Sequence, residues 1–372
     1  MKFIFDSEVL GRAFSIAKIV KPISGDFAMK FRGGDLTIYS SDKRRYACVT
    51  VAAKDVEDVD GDYESEEFYI TSDRQTMLDS DLPTITLTVD SKTIRVRAEG
   101  DGQVRNATLK KRSDTSKRQP IPKFPDINNA RAFSSKDFED LLHQVSCSAQ
   151  VKETKTEEDM KVNQVHFYPE VSSATSDARF FQSQVELFGL NLDLSIISSD
   201  IPLIRTFCAK NPDSDILIFQ DNSHLYLSDL EHRSIVCFSR IVSNKPEFEV
   251  IKQECPCVIH VDRSKFLKAL QWAAMTIEGT QRVSVSTLID QSVMILKHNG
   301  DELSRFPIDL ISGDGVNGDY PVKILLGMIN HINDDKIVLK YGHYETVLEI
   351  SGETARPVKS RHFIASMKVR KQ

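Results

Sequence analysis

Apolar residues recur along this chain with two periods. Val9, Leu10, Ala13, Phe14, Ala17 and Val20 fall at helical spacing, with Asp6 or Ser7 to cap the helix and Pro22 to stop it. Phe138, Leu141, Leu142 and Val145 predict another helix, capped by Ser134 with Asp137 at the third position. Phe266, Leu267, Leu270, Ala273, Ala274 and Ile277 predict a third, behind Asp262. Shorter helices are expected around Arg74–Leu78, Ser199–Ala209 and Val322–Ile332. Between the helices lie runs with the strand period: Phe27–Phe31, Leu36–Tyr39, Arg45–Ala53, Thr84–Val89, Thr93–Ala98 and Val104–Lys110. Asp90-Ser-Lys and Gly100-Asp-Gly are hairpin turn chemistry.

The order helix, strands, short helix, three strands then repeats. Ile38-Tyr-Ser-Ser-Asp-Lys-Arg-Arg-Tyr46 and Ser173-Ala-Thr-Ser-Asp-Ala-Arg-Phe-Phe181 both read as a strand, a Ser-Asp turn, a basic residue and an aromatic. The chain is therefore three copies of a unit of about 120 residues. The expected boundaries are 1–126, 127–253 and 254–372, the first marked by the proline cluster Pro120-Ile-Pro-Lys-Phe-Pro125. The fold class is α+β: three repeated domains, each with two helices packed on antiparallel sheet. Such meanders need neighbours to cover their edges, in an array or a closed ring.

The net charge is -6, which argues against a molecule coated in positive charge but not against one basic face. Arg12, Lys18, Lys21, Arg74, Lys152, Arg205, Lys210, Arg263, Lys265, Lys268 and Lys323 sit on or just beyond predicted helices in all three units, whereas the acidic runs sit in loops. If the helices share a face, it would contact phosphates without reading bases.

Enzyme signatures are missing. There is no Gly-rich phosphate loop, His-rich metal pattern or Gly-x-Ser-x-Gly elbow. Asp58-Val-Asp60-Gly61 with Glu67 nearly matches a calcium loop, but Val56 stands at the first ligand position, so a solvated acidic loop is expected. Cys255-Pro-Cys257 lacks a second Cys/His pair, so neither a metal nor another cofactor is expected. The cysteines lie mostly in apolar runs, as reduced core thiols of a cytoplasmic protein do. No signal peptide or membrane span is expected.

With these motifs in order, the chain resembles the bacterial β sliding clamp, the processivity factor of DNA polymerase III. Ala174-Thr-Ser-Asp-Ala-Arg-Phe-Phe181 resembles the family's Ala-Thr-Asp-Gly-His-Arg-Leu-Ala, and Phe363-Ile-Ala-Ser-Met-Lys-Val369 its Val-Val-Met-Pro-Met-Arg-Leu. The Met1-Lys-Phe start, the Phe-Pro junction and the length agree. The resemblance implies a head-to-tail homodimer ring around duplex DNA, with helices inside and sheets outside. It implies a pocket between the second and third domains that holds short linear motifs of a polymerase and a clamp loader. That pocket would use Val162, Thr175, Asp177, Ala178, Arg179, Phe180, Pro246, Val250, Ile251, Phe363, Ala365, Ser366, Met367 and Lys368. Asp177-Ala178 in place of Gly-His, and Ala365-Ser366 in place of Met-Pro, imply a pocket tuned to a different peptide; a divergent clamp encoded by a bacteriophage would account for them. The alternative is a monomeric clamp-like scaffold that binds partner peptides without encircling DNA.

Overall fold

The computed structural model describes residues 1–22, 25–57, 63–71, 75, 77–78, 80–112, 130–149, 163–171, 173–178, 181–241, 255–277, 282–342, 347–353 and 357–366. Among these, the helices are α1 (Ser7–Ala17), α2 (Ser135–Val145), α3 (Ile201–Lys210), α4 (Arg263–Thr276) and α5 (Val322–His331). All are too short to be stable alone and owe their stability to one buried face. The rest is antiparallel sheet.

The predicted restart is visible in the joints. Strand Lys2–Asp6 runs directly into α1, Arg131–Ser134 into α2, and Cys257–Asp262 into α4. Asp6 caps α1 by accepting from the backbone N–H groups of Glu8 and Val9 at 2.9 and 3.3 Å. Asp262 caps α4 through the N–H of Lys265 at 2.9 Å. A strand ending in a capping residue thus fixes where each helix starts.

The chain forms two compact units: residues 1–136 with 202–240, and residues 137–201 with 241–372. In the first, a five-stranded sheet runs in the order Asp55–Glu57, Lys2–Asp6, Thr84–Val89, Thr93–Gly100, Gln103–Lys110. Its partner sheet has eight strands, joined where Arg45–Ala52 pairs with Ser234–Ser239. In the second, a nine-stranded sheet is joined where Phe181–Leu187 pairs with Val358–Ala365, and a four-stranded sheet has Asp301–Pro307 at one edge. Strands of the middle repeat therefore divide between the two units: 131–134 and 215–239 in the first, 164–197 in the second.

Several local expectations are corrected. Val9 is 51 % exposed rather than part of the buried face of α1, where Ser7 and Ile16 are buried with Leu10, Ala13, Phe14 and Ala17. On α4, Ala269 is buried, while Leu267 and Ala274 are only partly so. Asp55–Glu57, expected as loop, is a short strand against Lys2–Ile4, with Lys2 and Glu57 paired at 2.8 Å. Asp301–Pro307 and Asp309–Ser312, nearly continuous in sequence, are strands of different sheets. Pro307, which has no N–H to give a ladder, stands at the break.

The two Ser-Asp copies also differ. In the first, Ser41 pairs with Tyr46, and Asp42 closes the turn by accepting from the N–H groups of Arg44 and Arg45 at 2.7 and 2.8 Å. In the second, Ser176 and Asp177 lie within the strand Ser173–Ala178, whose last residue pairs with Phe181. A shorter connection changes the register, so the same dipeptide is a turn in one copy and a strand end in the other. Residues 58–62 of the acidic loop, and Arg74 with most of the short helix predicted around it, lie outside the described residues. Cys48, Cys147, Cys208, Cys237, Cys255 and Cys257 are free thiols, with Cys208, Cys237 and Cys257 buried.

Candidate partner pocket and basic helix faces

The second unit brings the two halves of the predicted pocket wall onto one sheet. Strand Phe181–Leu187 lies between Ser173–Ala178 and Val358–Ala365, so residues in register form rows across three strands. One row is Asp177, Gln182 and Phe363; the next is Ser176, Ser183 and His362. Adjacent rows point to opposite faces of the sheet.

The Ser176 row faces the end of α2. The Ser176 hydroxyl donates to the carbonyl of Val145, and the Ser183 and Ser148 hydroxyls bond each other. His362 Nδ1 lies 2.8 Å from Ser183 Oγ and 3.3 Å from Cys147 Sγ. Burial, with the nearby His331 adding to it, pushes the His362 imidazole down to about 3. Burial pushes the Cys147 thiol up to about 11, against the lowering effect of its bonds to Ser183 and Ser148. A protonated thiol beside a neutral imidazole is not an activated nucleophile. This cluster fills polar space in the core.

Phe363 is 2 % exposed, and Thr175, two rows further on the same face, is also 2 % exposed. Both support the wall rather than form open surface. The Arg361 guanidinium lies 4.9 Å from the centre of the Phe363 ring. It also donates to both carboxylate oxygens of Glu349, at 3.0 and 2.9 Å, and Lys340 Nζ approaches the same carboxylate at 3.5 Å. Burial raises the Glu349 pKa, but the bonds and charge of Arg361, with Lys340, outweigh it and hold the carboxyl below its usual range. Ala365 pairs with Val347 at the strand end. Half-buried Ser366 ties that end to Asp319, accepting from its N–H at 3.3 Å and donating to its carbonyl at 3.4 Å.

Asp177 and Ala178 are placed by their backbone register alone. Val162, Arg179, Phe180, Pro246, Val250, Ile251, Met367 and Lys368 lie outside the described residues. Glu349, Arg361, His362, Ser183 and Cys147 were missed by sequence reasoning. A signal was there: a glutamate inside Val347-Leu-Glu-Ile350 and a histidine before Phe363-Ile364 are ionisable groups in apolar runs.

The predicted basic residues separate by use. Arg12 is exposed but donates to Asn211 Oδ1 at 3.0 Å. Arg263 donates to the carbonyls of Ile329 and Asn330 at 3.0 and 3.2 Å, closing the C-terminal turn of α5. Arg205 is half-buried, and Lys18, Lys21, Lys210, Lys265, Lys268 and Lys323 are exposed. Arg74 and Lys152 lie outside the described residues. The basic pattern is not uniform: α2 carries Asp137, Glu139 and Asp140 against Lys136. No helix among the described residues is long and apolar enough to cross a membrane, and no group of metal-ligating side chains is found among them.

No family profile and no curated protein matches the sequence. Solved structures do match. The DNA polymerase III β subunit of Pseudomonas aeruginosa superposes with a TM-score of 0.81 at 13% identity, covering 99% of this chain and 100% of that one. The β subunit of Thermotoga maritima gives 0.77 at 15%, covering 99% of each chain. A Pseudomonas aeruginosa sliding clamp bound to griselimycin gives 0.81 at 12%, covering 99% and 100%. From end to end, the chain has the fold of the DNA polymerase III β sliding clamps.

Proposed function

We propose that this protein is a DNA sliding clamp: a non-catalytic homodimeric ring that encircles duplex DNA and tethers a replicative polymerase. The observation that carries this reading is the agreement of fold along the whole chain, 99% of it covered, despite 13% identity. A processivity ring depends on its closed shape more than on any local site, so a fold kept over the full length is what that function demands. The ring divides into the domains 1–126, 127–253 and 254–372. Exposed lysines on α4 and α5, with Lys18, Lys21 and Lys210, meet phosphates in a sequence-independent way.

Partners dock through short linear motifs on the wall built from the hairpin 173–187 and the strand 358–365, and a related clamp holds griselimycin. Arg179 and Lys368 would take carbonyls or acidic groups of the peptide, and the apolar residues would take its anchor. A closed ring cannot thread onto circular DNA, so a separate ATP-hydrolysing loader must open it. The test is topological. Protein loaded on circular DNA should be retained, and linearising that DNA should release it. Equal, rapid loss from both forms would sink the ring reading in favour of a monomeric scaffold.

A further inference from the structure

Helix α4 carries, in line with its lysines, two exposed apolar residues that sliding on duplex DNA does not explain. Lys265, Lys268, Trp272 and Met275 recur at helical spacing and share one side of the helix. The opposite side, with Phe266, Ala269, Leu270 and Ala273, is buried in the core. Trp272 is 57 % exposed and Met275 75 % exposed, and Trp272 is the one tryptophan of the chain.

Two features of the stripe oppose stability. A large indole left in water forgoes its burial energy. Lys265 stands in the first turn of the helix, where the macrodipole disfavours a cation, and Lys268 follows it on the same side. No acidic residue occurs within α4; the Asp262 carboxylate that caps it acts on Lys265, but not on Lys268 one turn further along. An anionic partner that also presents a flat apolar face satisfies both features at once.

We propose that this side of α4 binds single-stranded DNA, with a base stacked on Trp272 and the neighbouring phosphates against Lys268 and Lys265. A duplex keeps its base faces stacked on one another, so only a single strand offers one to an indole. Lys268 and Trp272 are separated by about 6 Å along the helix axis, one turn apart on the same side. The inference rests on the clamp reading in one respect: a clamp working beside a polymerase meets unpaired template.

The single tryptophan makes the test direct. Full-length protein is titrated with oligothymidylate at low salt, following tryptophan fluorescence and, separately, the anisotropy of a labelled oligonucleotide. Quenching should track binding, and a blunt duplex of equal length should bind without it. Trp272→Ala should weaken single-strand binding by about tenfold, while Trp272→Phe retains most of it. Both should leave duplex binding and the melting temperature unchanged, because the side chain is exposed. Lys265→Gln with Lys268→Gln should lower the salt dependence of binding.

Bound oligonucleotide with unchanged fluorescence, or a Trp272→Ala protein that binds it equally well, overturns the proposal and leaves the clamp reading intact. Equal quenching by duplex also overturns it. Loss of dimer mass in Trp272→Ala would show that a second copy covers the stripe, and overturns it too. Single-strand quenching without selective retention on circular DNA would instead overturn the clamp reading and keep this one.

Discussion

His362 is the residue whose environment has the clearest measurable consequence. Its imidazole is enclosed, with Nδ1 held by Ser183 and Nε2 without a partner among the described residues. Burial first, and His331 second, lower its pKa from 6.5 to about 3. Between those values the unfolded chain binds a proton that the folded chain refuses, so stability is full above about 6.5 and falls as the solution is acidified toward 3. By pH 5 the loss is roughly 2 kcal/mol, at about 1.4 kcal/mol per pKa unit. Thermal melts at pH 7 and pH 5 should show it, and His362→Gln should narrow the difference. An equal pH response in the variant would place the sensitivity elsewhere. Glu349 acts in a lower window, since its folded pKa is also depressed and its contribution is lost only as pH falls through that value. Removing its carboxylate strands two cations: Glu349→Ala should cost about 2 kcal/mol, less than a fully buried pair because Arg361 and Lys340 are partly exposed. Denaturant unfolding measures it, and replacing Arg361 as well should recover part of the loss.

At the scale of elements, the helix starts depend on single capping side chains. Asp262 accepts from Lys265 N–H and from the Ser264 hydroxyl, which lowers its pKa. Asp262→Ala should destabilise the second unit by about 1 kcal/mol, and Asp262→Asn by less, read as a shift in melting temperature. These caps were legible in the sequence because a strand ending in Asp before an apolar period is a local signal. The turns Asp90-Ser-Lys and Gly100-Asp-Gly were legible for the same reason, and Asp101 and Gly102 adopt the positive φ of 51° and 73° that a tight hairpin asks for. The register of the second Ser-Asp copy was not legible, because it depends on how Ser173–Ala178 pairs across the sheet with Phe181–Leu187. The candidate wall was legible only through resemblance, and only in part. Thr175 and Phe363 were named from the resemblance, whereas the tie between Glu349, on the strand paired with Val358–Ala365, and Arg361, which it holds, carries no local mark. Long-range pairing, unlike capping, leaves no mark at a fixed spacing.

At the scale of the whole molecule, the unpaired sheet edges matter most. Among the described residues, Gln103–Lys110 ends the five-stranded sheet and Asp301–Pro307 ends the four-stranded sheet. An open edge is a template for another chain unless something covers it. In the proposed ring, the first edge of one subunit meets the second edge of its partner, and two such junctions close the circle. The chemistry of the strands suits this. Gln103–Lys110 carries Arg105 and Lys110 with an exposed Val104, and Asp301–Pro307 opens with Asp301 and Glu302. Both strands also hold their own ion pairs, Arg105 with Asp81 and Arg305 with Glu302, so the attraction between them is modest and screened by salt. The dimer should therefore depend on apolar contact at Val104 as well as on backbone pairing. The intact protein should have twice the 42.0 kDa chain mass by light scattering at micromolar concentration. Val104→Glu, which puts a carboxylate among acidic neighbours on the partner edge, should yield the single chain mass with an unchanged melting profile of each unit. That variant should also lose selective retention on circular DNA. A dimer that survives Val104→Glu, still retained on circles, would move the junction to other edges. A wild-type protein of single chain mass in the presence of DNA would leave the fold without its ring.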